Sequence, residues 1–408
     1  MRRWLAALAV GTAGLLVGAV LTMALQSASA DRVQPSGGFP RPTAAPSPGL
    51  AAMTREQTPA TFLVWVPRGL PAGFARAVAR LRGIAAVTVV AEDDVWLRRS
   101  WSATGQIVDA PPRGYRVPLD AAAVEPMSFA AFVPAADRPS IDALAAGQAI
   151  LGATSASLRG LGPGGIVDLG ARERLRIAAI LPDQLVGAAE IVVSRGTGRR
   201  IGISHDRYLL VRATPGHEVG TAALKRRLLP LLPASLGVDR AVEVRAPGDS
   251  PYLRAGDAVL PPVAVKTLFG EFAARPGRVP GTIQVDPAWG AEHLQTTTIP
   301  LLGRVTCNRG IVPQLRAAMT QVRRRGLAGT VSSYHGCFVP RYIGWNDANL
   351  LSYHSWGIAF DLNLATNIRG EAPHQDPRLV AILSRYGFQW GGTWMVPDGN
   401  HFEFHRAV

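Results

Sequence analysis

Residues 352–363 of this 408-residue chain, Ser-Tyr-His-Ser-Trp-Gly-Ile-Ala-Phe-Asp-Leu-Asn, place an aspartate inside a mostly apolar run. From Gly357 onward large apolar side chains alternate with small or polar ones, and a period of two is typical of a β-strand. Asp361 would lie on one face, and the other face would bury Ile358, Phe360 and Leu362. Burying a carboxylate among apolar side chains is costly without compensation. Asp361 is therefore predicted to have a partner on its own face.

A second alternating run occupies residues 401–405, His-Phe-Glu-Phe-His. Its phenylalanines face one way and its histidines and glutamate the other, which predicts a second strand with one polar face. Two such strands can bring nitrogen and oxygen ligands together, and three ligands of this kind suit a zinc ion whose fourth position stays open to water. We therefore predict a zinc site formed by His354, Asp361 and His401.

Asp398 lies three residues before His401, in the turn-forming sequence Pro-Asp-Gly-Asn at 397–400. Such a turn can hold a carboxylate near a metal ion without making it a ligand. Zinc lowers the pKa of bound water to about 7, and a neighbouring carboxylate can accept the proton as the water attacks a peptide carbonyl. Asp398 is therefore predicted to be the general base, with a nearby cation stabilising the developing oxyanion.

These residues together match the pattern of a known family. The matching positions are Ser352-x-His354-x-x-Gly357-x-Ala359-x-Asp361, Trp390-Gly391-Gly392 and Asp398-x-x-His401-Phe402-Glu403. The region resembles the zinc D-alanyl-D-alanine carboxypeptidases and L-alanyl-D-glutamate endopeptidases of the M15 peptidase group. The resemblance implies a small α+β fold with an antiparallel sheet, one zinc ion, and peptidoglycan stem peptides as substrate.

The resemblance also implies roles for individual residues. The metal ligands of the family correspond to His354, Asp361 and His401, and its catalytic acidic residue corresponds to Asp398. Arg341 occupies the place where relatives carry a substrate-contacting arginine, so it is the candidate for binding a carboxylate or stabilising the oxyanion.

Other polar and aromatic residues near these positions have open roles. Glu403 is predicted to orient a ligand, because three protein ligands suffice for a catalytic zinc ion. His405 either lines the cleft or is exposed to solvent. The tryptophans Trp390 and Trp394 either wall the cleft or pack in the core. Substrate specificity and ordinary loop packing are equal alternatives for the loop residues Tyr334, His335 and Trp345.

The N-terminal residues predict the compartment. Two arginines precede an uncharged, mostly apolar run at 4–25, and small residues follow at 28–30, so residues 1–30 are predicted to be an export signal or an uncleaved membrane anchor. Residues 31–59 are rich in Pro, Ala, Ser and Gly and predict a linker. The protein is expected to be extracytoplasmic, either secreted or anchored to the cell membrane.

Two folded domains are predicted after the linker: a separate mixed α/β domain of unknown ligand at 60–254 and the zinc peptidase domain at 255–408. In the first, strands are predicted at 61–66, 87–90, 175–180 and 208–212, and helices at 71–82 and 221–229. This domain loosely resembles the extracytoplasmic domains of some transport permeases, around residues 151–152 and 162–165. In the second domain a helix is predicted at 313–325.

Charge and cysteine content bound the partners and the redox state. The 43 Lys and Arg outnumber the 29 Asp and Glu, giving a formal net charge of +14 that attracts polyanions such as anionic envelope polymers. No nucleic-acid-binding module is recognisable, so a nucleic acid partner is not expected. Cys307 and Cys337 are predicted to form a disulfide in an oxidising compartment, with two buried free thiols as the alternative.

Three functions are compatible with these patterns. The leading hypothesis is zinc-dependent hydrolysis of peptide bonds in peptidoglycan stem peptides. The alternative is a catalytically inactive, metal-containing cell-wall binding module that acts as an envelope accessory protein, against which Asp398 argues because binding alone needs no base. A third is that residues 60–254 are the main unit, as a sensor or transport accessory. The patterns do not distinguish a carboxypeptidase from an endopeptidase.

Overall fold

The computed structural model describes residues 60–408 with short gaps, which are 171–172, 218, 248–252 and 255–256. The predicted export segment at 1–30 and the linker at 31–59 lie outside the described residues. Within the described part of the chain, no helix is both long and apolar enough to cross a membrane.

A large mixed sheet occupies residues 61–245, which we call the large-sheet region. Its strands are β1 (Thr61–Trp65), β2 (Ile84–Leu97), β3 (Arg99–Trp101), β4 (Val117–Val124), β5 (Ala149–Gly152), β6 (Ile166–Asp168), β7 (Arg174–Leu181), β8 (Ile191–Ser194), β9 (Asp206–Ala213) and β10 (Glu243–Arg245). Their order is β10-β1-β9-β2-β4-β8-β5-β7-β6-β3. The β4/β8 and β5/β7 pairs are parallel. The four predicted strands lie in β1, β2, β7 and β9, so the mixed α/β prediction is confirmed.

Both faces of the central strands are buried. Along β4, Ala121 and Ala123 pack in one core, whereas Ala122 and Val124 pack in another. A strand covered on both faces has no need of polar alternation. This explains why residues 117–124 carry no period-two pattern.

Short helices cover this sheet: α1 (Phe74–Ala79), α2 (Pro126–Phe129), α3 (Arg138–Ala145), α4 (Ala153–Arg159), α5 (Arg195–Ile201) and α6 (Thr221–Leu228). The helix predicted at 221–229 is confirmed as α6. The helix predicted at 71–82 is shorter, because Gly73 has φ 79°, outside the right-handed helical region, and α1 begins only at Phe74.

The C-terminal region, residues 259–408, follows a small hairpin of β11 (Leu253–Arg254) and β12 (Asp257–Ala258). Its elements are α7 (Pro262–Phe269), β13 (Ala274–Pro276), β14 (Ile283–Val285), α8 (Pro287–His293), β15 (Leu294–Ile299), β16 (Gly303–Asn308), α9 (Val312–Arg324), β17 (Ala359–Asp361), α10 (Pro377–Arg385), β18 (Phe388–Trp390) and β19 (His401–Phe404). The predicted helix at 313–325 is confirmed as α9. It buries Leu315, Met319 and Val322 in the core of this region.

Three of these strands form the antiparallel sheet that positions the site, in the order β17-β19-β18. The register places Asp361 opposite His401 and Ala359 opposite Glu403. Phe360 and Phe402 are opposite each other as well, and their rings stack with centroids 5.6 Å apart. Directly opposed residues share a face of the sheet. Asp361 and His401 therefore lie on one face, and Phe360 and Phe402 lie on the other. The predicted small antiparallel sheet is confirmed.

The first of the two predicted strands is shorter than its sequence pattern. Only residues 359–361 form β17, and Asn363 has left the strand with φ 56°. The face that carries Asp361 is buried too. Beside it, Asn363 Oδ1 accepts hydrogen bonds from the backbone of Ser332, at 2.7 Å, and of Ser333, at 3.3 Å. The loop around 330–334 therefore covers a face that the alternation alone describes as polar.

A buried ionic cluster joins the two regions. Lys266 on α7 donates to Glu190 at 2.7 Å and contacts Glu271 at 3.1 Å, and Arg159 on α4 contacts the same two glutamates. Buried charges persist only when they are paired. The two regions therefore depend on each other for neutralisation here, and the predicted division near residue 255 remains a prediction.

A disulfide joins Cys307 at the end of β16 to Cys337, with the two Cα atoms 5.2 Å apart and a sequence separation of 30. Closing a loop of this length restricts the unfolded chain and is expected to stabilise the fold by about 3–4 kcal/mol. The double variant Cys307→Ala/Cys337→Ala should lower the midpoint of urea unfolding accordingly. Reduction of the wild-type protein provides the control and should give a similar shift. An unchanged midpoint in both would contradict the prediction.

Candidate metal centre

His354, Asp361 and His401 lie together beside the three-stranded sheet. His354 Nε2 is 3.2 Å from Asp361 Oδ1, and His401 Nδ1 is 3.1 Å from the same oxygen. One ligand atom from each residue lies within 4.8 Å of the others. All three side chains are buried. The structure thus brings the three residues predicted as ligands to one place.

His354 reaches the site from a 3-10 helix rather than from a strand. This helix, Tyr353–Trp356, begins after Ser352, whose hydroxyl accepts a hydrogen bond from the His354 backbone. It ends at Gly357, which has φ 66° and leads directly toward β17. A Cβ atom at Gly357 would lie 2.8 Å from the backbone nitrogen of Asn308. Glycine is therefore required for this turn, which explains the histidine-x-x-glycine spacing.

The remaining nitrogen of each histidine has a fixed acceptor. His354 Nδ1 lies 3.1 Å from the carbonyl oxygen of Cys337, and His401 Nε2 lies 3.1 Å from Glu403 Oε2. A carbonyl oxygen and a carboxylate can only accept hydrogen bonds, so each outer nitrogen is the donor and carries a hydrogen. In neutral imidazoles the inner nitrogens then present lone pairs toward Asp361. The role predicted for Glu403, orienting a ligand, agrees with this contact.

This donor set fits a metal ion. Two imidazole lone pairs and a carboxylate oxygen at 3.1–3.2 Å repel one another unless a cation or a proton lies among them. Two nitrogens and one oxygen are a ligand set that binds zinc and leaves a position for water. The triad therefore meets the requirements of a metal-binding centre.

The three residues of the triad have strongly shifted pKa values in the absence of a metal ion. Burial lowers the pKa of His354 to about 4. For His401, burial also favours the neutral form, but hydrogen bonds to Asp361 and Glu403 outweigh it and raise the pKa to about 10. Burial would raise the pKa of Asp361, yet the two histidines hold it well below its usual value. A proton on His401 thus stabilises the metal-free site, and this proton would have to leave for a metal ion to bind.

Asp398 is a buried carboxylate next to the triad. Its backbone oxygen accepts a hydrogen bond from the His401 backbone at 3.0 Å, which closes the predicted turn. Its side chain accepts hydrogen bonds from Asn400 at 3.0 Å and from Arg369 at 3.3 Å. Burial raises the pKa of Asp398, although His401 and Arg369 partly oppose the shift. A raised pKa suits a proton acceptor.

The Trp390-Gly391-Gly392 sequence supports the turn of Asp398. A Cβ atom at Gly391 would lie 2.9 Å from the backbone oxygen of Asp398, and the Gly391 carbonyl accepts a hydrogen bond from the Asp398 backbone at 2.9 Å. The indole of Trp390 donates to the carbonyl of Gly399 at 2.8 Å. Trp390 therefore supports the turn, and its ring also packs against the core beside Phe402, which agrees with the core-packing alternative.

Two arginines complete the site. The guanidinium of Arg341 lies 3.5 Å from the outer oxygen of Asp361, and burial lowers its pKa while Asp361 and Asp398 oppose the shift. Arg369 bonds Asp398 and was not identified from the sequence, nor was Asn400. Residues 364–376 have no periodic pattern, so only the asparagine in the turn offered a signal.

The other residues with open roles occupy different places. Trp394 is buried with its ring centroid 5.4 Å from that of His401, so it packs against a ligand. The Tyr334 hydroxyl is buried near Asp361, and Trp345 is 44% exposed with Arg341 5.2 Å from its ring centroid. His335 and His405 are exposed.

Glu403→Gln is expected to weaken metal binding about tenfold, because loss of a partner behind a ligand typically costs 10- to 100-fold in affinity or activity. The amide oxygen can still accept the hydrogen bond from His401, but the substitution removes the negative charge of the Glu403 carboxylate. Competition with a chromophoric chelator measures the affinity. Glu371→Gln, an exposed glutamate of the same region, is the matched control. Equal affinities of the two variants would contradict the prediction.

Three buried ligand groups with a second carboxylate beside them form a candidate metal centre. Residues 345–404 match the family model described as D-alanyl-D-alanine carboxypeptidase, Peptidase_M15_4. This short match supports an M15 peptidase domain at the C-terminal end of the described residues. The matched residues contain all three members of the triad and Asp398. No curated protein matches the chain.

Solved structures similar to part of the chain include a periplasmic region, an extracellular transporter domain and a domain of a putative permease. The periplasmic region of MacB from Actinobacillus actinomycetemcomitans is 12% identical over 46% of this chain and 88% of its own, with a TM-score of 0.30. The extracellular domain of the ABC-type transporter YknZ from Gram-positive bacteria is 12% identical over 45% and 99%, with a TM-score of 0.30. A putative permease domain from Porphyromonas gingivalis is 13% identical over 48% and 92%, with a TM-score of 0.27. TM-scores this low decide neither fold nor function.

Proposed function

We propose that the protein is a zinc-dependent peptidase that hydrolyses peptide bonds in peptidoglycan stem peptides outside the cytoplasm. The observation that carries the proposal is the convergence of His354, Asp361 and His401 within 4.8 Å, with Asp398 buried beside them. The family match at 345–404 supports the reaction class and the substrate class.

The residues of the chain divide the chemistry among them. A zinc ion at the triad would polarise the peptide carbonyl and activate a water molecule. Asp398 accepts the proton of the attacking water and passes it to the leaving amine. Arg369 and Asn400 hold the carboxylate of Asp398 in place, at 3.3 and 3.0 Å. Arg341 stabilises the negative charge of the oxyanion or of a substrate carboxylate.

The experiment is mass spectrometry of stem peptides incubated with the zinc-loaded protein. Loss of a terminal D-alanine identifies a carboxypeptidase, and separation of L-alanine from D-glutamate identifies an endopeptidase. Metal analysis accompanies it, with one zinc ion per chain as the expected content. A protein that holds no metal, and that cleaves no stem peptide after zinc is added, would refute the proposal.

A further inference from the structure

One loop of the C-terminal region carries two groups of the site. Residues 341–355, which we call the 341–355 loop, begin at Arg341 and contain His354 near their end. The Ser352 backbone donates to the carbonyl of Arg341 at 2.9 Å, and Ser355 Oγ accepts from the Arg341 backbone at 3.1 Å. Arg341 and His354 thus sit at the closed base of one loop, and a shift of the loop displaces both.

The large-sheet region holds this loop from outside. Asp94 on β2 accepts a hydrogen bond from the backbone N–H of Leu351 at 2.7 Å. Arg207 on β9 donates to the carbonyl of Ala348 at 3.1 Å and is itself fixed by Asp93 at 2.9 Å. The neighbouring strands β2 and β9 therefore bind the loop through hydrogen bonds at Leu351 and Ala348.

The backbone N–H of Leu351 depends on its hydrogen bond to Asp94 because it is buried. Leu351 is 3% exposed, and a buried backbone N–H must be paired inside the protein. Leu351 is also three residues before His354, so a displacement of the Leu351 backbone is expected to displace His354 as well. Tyr342, next to Arg341, pairs with Leu351 in an isolated β-bridge. The Asp94 contact consequently reaches both ends of the loop within a few residues.

We propose that Asp94 is a positioning residue for the peptidase site, and that the large-sheet region serves to hold the 341–355 loop so that Arg341 and His354 face the substrate. The inference rests on the proposed peptidase function. The large-sheet region would then support the active site without contacting substrate. It would act through the hydrogen bond from the Leu351 backbone to Asp94.

Three substitutions test the inference in the full chain. Asp94→Ala removes the acceptor and is expected to lower kcat/KM about 10- to 100-fold, as for other groups that orient a ligand. Asp94→Asn keeps an acceptor oxygen for the Leu351 N–H and should retain a kcat/KM close to that of wild type. Glu243→Ala removes a carboxylate of the edge strand β10, where it pairs with Lys225 on α6, and should behave as wild type.

Amide hydrogen exchange of the zinc-free protein provides a readout that does not depend on catalysis. Asp94→Ala should speed exchange within the 341–355 loop and leave β19 unchanged, whereas Asp94→Asn should not. If Asp94→Ala does not fold, Arg207→Gln removes the second contact and should also speed exchange in the loop. Exchange in the loop that stays as slow as in wild type in folded Asp94→Ala and Arg207→Gln would overturn the inference, as would equal loss of activity in Asp94→Asn and Asp94→Ala.

The two proposals fail in different ways. A wild-type protein that cleaves no stem peptide refutes the proposed function, and the exchange measurements still decide the role of Asp94. A wild-type protein that cleaves the peptides while Asp94→Ala equals it in kcat/KM and in exchange refutes only the positioning role.

Discussion

Asp398→Asn is expected to lower kcat for stem-peptide hydrolysis by about 10²- to 10⁴-fold, the contribution that general acid–base catalysis makes. The amide is nearly the same size, and its one oxygen can accept the hydrogen bond from Asn400 or the one from Arg369. The turn should persist because its backbone hydrogen bonds to Gly391 and from His401 are unchanged. The amide cannot accept the proton of the attacking water. Because Asp398 is outside the triad, zinc content should stay at one ion per chain. Steady-state kinetics and metal analysis of the same sample measure both quantities.

Asp376→Asn is the matched control for this variant. Asp376 caps α10 by accepting a hydrogen bond from the Arg378 backbone at 2.8 Å, and asparagine caps a helix equally well. Its kcat should equal that of wild type. Full activity in Asp398→Asn would identify a different base, and retention of all cell-wall binding without any measurable hydrolysis in wild type would favour the binding module.

His354→Ala is expected to abolish stoichiometric zinc binding and, with it, all detectable hydrolysis. Two remaining ligands do not satisfy a catalytic zinc ion, which takes three from the protein. Zinc that binds the native state alone stabilises it by about 4 kcal/mol when free zinc is a thousandfold above its Kd. The variant should therefore lose the rise in Tm that zinc gives the wild-type protein. Chelation of the wild type should reproduce both losses.

His405→Ala tests whether the effect is specific. His405 is exposed one residue beyond β19, so its removal should leave zinc content, hydrolysis and the zinc-dependent Tm unchanged. Tight zinc binding by His354→Ala would mean that the ion is held elsewhere, and the assignment of the triad would then be wrong.

The parts of the site that were predictable from the sequence are those with a local signal. Period-two alternation placed His401 and Glu403 on one face of β19, and the register confirms that Asp361 lies opposite His401. His354 was placed by spacing, yet its 3-10 helix was not foreseen, because a single helical turn has no periodicity to detect.

Contacts made by the backbone or by irregular segments left no such signal. The acceptor behind His354 is the carbonyl of Cys337, and every residue has a carbonyl. Arg369 lies in a stretch without repeating pattern. In the large-sheet region, β1 pairs with β9 and β10, which follow it by more than a hundred residues, and pairings this distant depend on the whole chain rather than on any window.

The central position of β19 constrains when activity can begin. The strands β17 and β18 do not pair with each other. Both pair with β19, which follows them in the chain. A chain in which residues 401–404 are not yet free to fold therefore lacks both the central strand of the sheet and His401. With the proposed peptidase function, such an incomplete chain is expected to be inactive until these residues fold, because its metal site is incomplete.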